Sequence, residues 1–392
     1  MSWHRSRAAI IVAVGVAQIL AWGSSYYLVA VLAHPIAVQT GWTLAWIVGG
    51  LSLGFVVSGL VSPLVGRLIE AHGGRLVLAG SAVLLAAGLV VLGLAPTLPA
   101  YLLGWALIGF GMGAGLYDPA FATLGRLFGD SARSAITQVT LLGGFSSTVC
   151  WPLSAWLVDH VGWRGACFAY AAIDVGVVMP LYLFFVPREA RRAAAKAAAR
   201  GGGDVAAPMR HAFLLLAATL TLASLIMTVI SVHLLTLLLA QGVAMPVAVG
   251  LGTLLGPSQV GSRLLDMALA KRHHPIWTLV ASTVLVAIGL GLLMVQPGVA
   301  AVGIVLYGAG SGIRSIARGT VPLALFGPAG YAAVMGRLAR PAFIGQAVAP
   351  ALGGVLIEHV GPAATMALLF AAAVATIVPS VLLIGLARPA PA

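Results

Sequence analysis

LFGDSARSAI at residues 127–136 returns as LFGPAGYAAV at residues 325–334. Pro152 and Pro350 align at the same offset, and one residue later in register LVDHVG (157–162) matches LIEHVG (356–361). GFGMGAG (109–115) is answered in the same way by YGAGSGI (307–313). A glycine-rich stretch alone says little. Motifs that recur in the same order along the chain mark a duplicated half.

The rest of the sequence says what kind of half is duplicated. Of 392 residues, 61% are hydrophobic and only 8% charged, with a mean hydropathy of +1.07. Soluble domains carry roughly a quarter of their residues as Asp, Glu, Lys and Arg, so this chain cannot clothe a water-facing surface. The composition excludes a soluble enzyme, a nucleic-acid-binding module and a disulfide-stapled secreted domain. Cys150 and Cys167 both lie in apolar runs and read as small hydrophobes rather than as a disulfide or metal ligands. The first apolar run, from Ala8 to about Leu32, exceeds a signal-peptide core and is long enough to span.

A bilayer core of about 30 Å takes about 20 apolar residues per helix. Apolar runs broken by Pro, Gly and charge predict twelve spans: 8–32, 42–65, 75–95, 100–124, 134–158 and 165–186, then 211–239, 246–270, 275–295, 299–320, 332–357 and 363–386. The predicted domains are a six-helix bundle at 1–187, a polar linker at 188–210 and a second six-helix bundle at 211–392. The fold class is therefore an all-α membrane protein of two pseudo-symmetric six-helix bundles. The net charge of +12 reads as topology. Arg5, Arg7, Arg67, Arg75, Arg126, Arg133, the linker cluster, Lys271, Arg272 and Arg388 all fall on one side, and only Arg164 lies clearly on the other. The positive-inside bias places both termini in the cytoplasm of a bacterial-type inner membrane. Trp42 and Trp163 sit where the outer aromatic belt belongs. Parallel six-span repeats are the plan of transporters that rock two halves around a midplane site.

Between spans two and three stands GRLIEAHGGRLVL, residues 66–78. It resembles the G-x-L-x-D-R-x-G-R-R loop of the major facilitator superfamily, with Gly66, Leu68, Glu70, Gly73, Arg75 and Leu78 at matching places. Glu70 stands for the usual Asp, Ala71 for the first Arg and Gly74 for the second. A degraded copy, SRLLD, occupies 262–266. The resemblance covers essentially the whole chain and implies alternating access. Gly66 would allow close helix contact, Gly73 a tight turn, and Glu70 with Arg75 a gate ion pair. Trp105 replaces the family's fourth-span Arg, and CWPLSA around Pro152 lacks the antiporter pattern, which lowers the case for a proton-driven drug pump.

Ionisable residues inside spans mark a pathway or a paired gate. Asp174 falls near the middle of span six, and Asp118 toward the cytoplasmic side of span four. Arg263, Arg314 and Arg340 lie a few ångströms to the cytoplasmic side of the middle of spans eight, ten and eleven. Guanidinium is a fixed cation with a planar fork suited to carboxylate or phosphate, so Arg314, Arg340 and Arg263 are candidate anion binders. Arg314 and Arg340 read equally as gate partners, and Arg263 as a local partner of Asp266. Arg318 and Arg337, nearer the inner surface, are expected in the gate. Spans one, four, seven and ten line the cavity in the family. Gln18, Trp22 and Tyr26 at four-residue steps, Tyr117, and Thr228 and Ser231 from the stripe Thr221, Ser224, Thr228 and Ser231 are then wall candidates. Asp174, Asp118 and His233 are candidates for proton coupling; the other readings are a satisfied interhelical pair for Asp174, an inner-gate ion pair with Arg314 or Arg318 for Asp118, and a plain hydrogen bond for His233.

The expected function is secondary transport of a small organic anion, a monocarboxylate-like metabolite, coupled to protons or to exchange. The general plan resembles the monocarboxylate and oxalate/formate exchanger branch. The alternative is efflux of amphipathic or toxic compounds. Neither a zinc-protease HExxH nor a phosphate-binding G-x-x-x-x-G-K-[ST] occurs. The chain is expected to be no enzyme, to take no cofactor or metal, to bind no nucleic acid, and to act as a monomer in the lipid bilayer.

Overall fold

The computed structural model describes residues 6–188, 209–269, 273–295 and 297–386. Most of the predicted linker, together with Arg5, Lys271, Arg272 and Arg388, lies outside the described residues. The described chain is helical throughout, with α1 Arg7–Gly23, α2 Leu28–Thr40, α3 Leu44–His72, α4 Gly74–Leu94, α5 Leu98–Gly115, α6 Tyr117–Phe128, α7 Ala132–Gly143, α8 Ser146–Ile173 and α9 Met179–Phe185. There follow α10 Arg210–Ala240, α11 Met245–Thr253, α12 Leu255–Leu269, α13 Pro275–Val295, α14 Ala300–Phe326, α15 Tyr331–His359 and α16 Pro362–Leu386.

Among the described residues, nine helical stretches are long and apolar enough to cross a membrane. One of them, Leu98–Phe185, runs for 88 residues and takes in three of the predicted spans. The predicted eighth span falls on the shorter pair α11 and α12. Local chemistry sets the breaks. Ser6 caps α1 by accepting from the Ala9 amide. Leu116, with ψ −161°, parts α5 from α6 and leaves Asp118 in the first turn of α6, where the helix dipole favours a carboxylate. Gly162 kinks α8 at φ 70°.

The chain divides into two compact units, Met1–Asp204 with Pro328–Ala347, and Val205–Gly327 with Val348–Ala392. The first half of α15 thus clusters with the first unit. In that unit α5 packs between α3 and α4, around buried Tyr101, Trp105, Phe55 and Met112. In the second, α14 packs between α12 and α13, with Ile230, Leu290, Ile304 and Leu369 in the core.

The two glycine-rich motifs carry the same packing in both units. A Cβ on Gly109 or Gly113 would press on α3 backbone at Gly54 or Ser58, and one on Gly111 would press on Leu85 of α4. Gly308 and Gly312 stand in the same way against Leu255 and Gln259 of α12, and Gly310 against Ser282 and Val286 of α13. Lipid gives helices little hydrophobic reason to associate, so close backbone contact through small residues takes that part. Sequence repetition here is repetition of a three-helix sandwich.

Candidate functional site

The three wall candidates of the first span separate in the structure. Gln18 is fully buried. Its Nε2 donates to the Gly115 carbonyl (2.7 Å) and the Tyr182 hydroxyl (3.1 Å), so it fastens α1 to the end of α5 and to α9 instead of standing in an open wall. Trp22 and Tyr26 are only half-buried. Their rings meet edge-on at 5.5 Å, and Trp22 also lies 5.1 Å from Tyr117, the third ring expected at the wall. Tyr117 stacks on Phe121 with an interplanar angle of 9°.

Asp174 opens a five-residue π-helical segment, Asp174–Val178, of the kind that often marks functional positions. It is fully buried. Ser24 donates to its Oδ1 at 3.3 Å, and Oδ2 has no hydrogen-bond partner among the described residues. No cation is paired with it among those residues.

The loop signature folds as a latch. Gly73 adopts φ 80°, a conformation costly to any residue with a side chain, and so turns α3 into α4. Glu70 was expected to pair with Arg75. The structure shows an ion pair of Glu70 with Arg126, at the end of α6: Nη1 donates to Glu70 Oε1 (3.0 Å) and to the Glu70 carbonyl (2.8 Å), both side chains being buried. Arg75 is part-buried in the first turn of α4. Sequence reasoning counted Arg126 as a topogenic charge only, since nothing in its neighbours signals a partner 56 residues away.

Gly66 marks the crossing of α3 with α15. A Cβ there would lie 2.5 Å from the Ala332 carbonyl oxygen and 3.1 Å from Gly336 Cα. Asp118, nearly buried, lines a narrow cavity at this crossing with Ser62, Gly66 and Gly336. One turn beyond Gly336 stands Arg340, whose side chain is exposed and has no hydrogen bond or ion pair among the described residues. The neighbouring turn carries Phe343, which is buried and stacks on Phe55 at 6.0 Å. Arg340 therefore sits beside a packed face about 14 Å along its helix. A charge at that depth is costly in hydrocarbon.

In the second unit, Arg263 is buried and its Nε donates to the Gly312 carbonyl at 3.2 Å, which fits a strut between α12 and α14 better than a ligand contact. Asp266 instead accepts from Thr278 at 2.7 Å. Arg314 is buried in a narrow cavity with Ser282, Ser311 and Tyr307, where Nη2 reaches Met227 Sδ at 2.6 Å. Arg318 and Arg337 are part-buried, and each is engaged in an interaction. Thr228 is buried and turned back onto the Ser224 carbonyl, whereas Ser231 is exposed. His233 Nε2 lies 2.9 Å from the Pro350 carbonyl oxygen, tying α10 to α15. Among the described residues, no group of three His, Cys, Asp or Glu side chains could hold a metal ion.

The sequence model of the Major Facilitator Superfamily matches residues 13–268. No curated protein sequence matches the chain. Among solved structures, the chain is similar to that of the human organic anion transporter MFSD10 (TETRAN), with a TM-score of 0.76 and 16% identity over 96% of this chain and 99% of that one. It is also similar to the transporter FucP in its outward conformation (TM-score 0.73, 15% identity, 95% and 99% covered). A third likeness is to the proton:xylose symporter XylE (0.70, 13%, 95% and 95%). At these identities the structures speak for the fold.

Proposed function

The chain belongs to the major facilitator superfamily, and from that premise we propose that it carries a small organic anion, a monocarboxylate-like metabolite, across the inner membrane by alternating access. Its coarser identity follows from the family: a multi-pass secondary transporter with a small-molecule substrate, and not an enzyme. The anion reading rests on Arg340, an exposed guanidinium within a membrane helix. The printed name of MFSD10, an organic anion transporter, agrees with it. Arg314 is the second candidate, with Ser311 beside it.

The coupling group we favour is Asp174, a buried carboxyl group with an oxygen left without a partner. His233, by contrast, is held by the Pro350 carbonyl. Protons or exchange supply the driving force. The inner gate is assigned to Gly66, Glu70, Gly73, Arg75, Arg318 and Arg337, with Arg126 added as the partner of Glu70. Both termini are assigned to the cytoplasm. Export of amphipathic compounds is the second reading, and the ring-lined first unit favours it; a lipophilic cation would be repelled by Arg340.

The test is uptake of radiolabelled monocarboxylates into proteoliposomes under an imposed pH gradient, with Arg340→Gln beside the unaltered protein. Loss of uptake with normal reconstitution is expected for the variant. Uptake of cationic dyes, with none of any acid, would overturn the reading.

A further inference from the structure

An unbroken series of ring contacts runs through the first unit. Tyr27 lies 4.9 Å from Tyr26 and 6.2 Å from Trp22. Tyr26 lies 6.0 Å from Phe55, and Phe55 stacks at 6.0 Å on Phe343. Phe343 stands three residues from Arg340, less than one helical turn. The rings come from α1 and the turn after it, from α3 and from α15, three elements distant in sequence. Core packing alone would bury them all. Phe55 and Phe343 are buried, but Trp22, Tyr26, Tyr27 and Tyr117 are each only half-buried. In addition, the buried indole Nε1 of Trp22 has no hydrogen-bond partner among the described residues.

We infer that the substrate of this carrier is an aromatic carboxylate, its ring lying against the Trp22, Tyr26 and Tyr117 surface and its carboxylate directed to Arg340. The inference rests on the anion reading above and narrows it. Flat π surfaces attract a second ring in offset or edge-on geometry beyond what buried area alone provides, and an aliphatic acid of the same charge gains only the area. A quaternary or primary ammonium would also be attracted to such rings. Arg340, at the end of the series, opposes a cation and favours a carboxylate.

Three probes of similar size separate the claims: benzoate, cyclohexanecarboxylate and benzylammonium, each titrated against the purified full-length protein and read by isothermal calorimetry and thermal shift. Benzoate should bind about three- to tenfold more tightly than cyclohexanecarboxylate, with no binding of benzylammonium. Trp22→Leu should bring that ratio close to one, because benzoate loses the ring contact as well as the area, whereas cyclohexanecarboxylate loses the area alone. Trp22→Phe, which keeps a ring, should retain most of the ratio and guards against a variant that fails to fold. Equal affinity for the two acids overturns the aromatic claim and leaves the anion reading standing. Binding of benzylammonium without benzoate overturns the anion reading and, with it, this inference. Binding of neither acid, with Trp22→Leu without effect on any probe, overturns both.

Discussion

Arg126 Nη1 donates both to the Glu70 carboxylate and to that residue's own backbone carbonyl. The grip therefore fixes the last turn of α3 as well as its side chain. Because both partners are buried, removing one leaves an uncompensated charge, whereas removing both need not.

That asymmetry makes the first prediction. Arg126→Ala and Glu70→Ala should each destabilise the protein by about 3 kcal/mol, seen as a lowered midpoint in detergent-solubilised thermal denaturation. The double variant should be no worse than either single one. Additive losses would show that the pair is not coupled.

Gly66 and Gly336 leave no room for a methyl group where α3 crosses α15. Gly66→Ala and Gly336→Ala should each cost about 1–3 kcal/mol of stability through overpacking. In transport, the maximal rate should fall while substrate affinity changes little, because the crossing sits below the proposed binding residues. Initial-rate uptake over a range of substrate concentrations distinguishes the two effects. A change confined to affinity would argue against a gate.

Asp174→Asn keeps the shape of a buried residue and its bond with Ser24 while removing the group that exchanges a proton. Uptake driven by an imposed pH gradient should disappear, and counterflow exchange of substrate at equal pH should persist. If gradient-driven uptake survives at its normal rate, coupling resides elsewhere. Ser24→Ala removes one hydrogen bond to the carboxyl group and should shift the pH dependence of uptake without abolishing it.

His233 offers the contrast. Its ring reaches the Pro350 carbonyl and packs close to Gly353, so His233→Ala should lower stability by about 0.5–1.5 kcal/mol through loss of that hydrogen bond. Gradient-driven uptake, normalised to the folded fraction, should be unchanged. Loss of coupling at normal stability would reverse the assignments of His233 and Asp174.

The sequence by itself determined the helical membrane architecture, its duplication and the family. Those properties are written in the length and order of apolar runs and in glycines at fixed spacing, all of them local or additive along the chain. What only the tertiary structure decided is which side chains meet. Gln18, Trp22 and Tyr26 share a four-residue spacing, yet Gln18 is sealed against Gly115 and Tyr182, while Trp22 and Tyr26 remain accessible. Glu70 finds Arg126 on another helix. Of the midspan arginines, Arg263 turns to a carbonyl and Arg340 stays exposed. Phe55 and Phe343, unremarkable in two separate apolar runs, complete a series of rings. Each outcome depends on how far a helix is rotated about its axis and where it crosses its neighbour. Backbone contact at glycines such as Gly66 and Gly336 sets those angles, and no periodicity within a single helix records them.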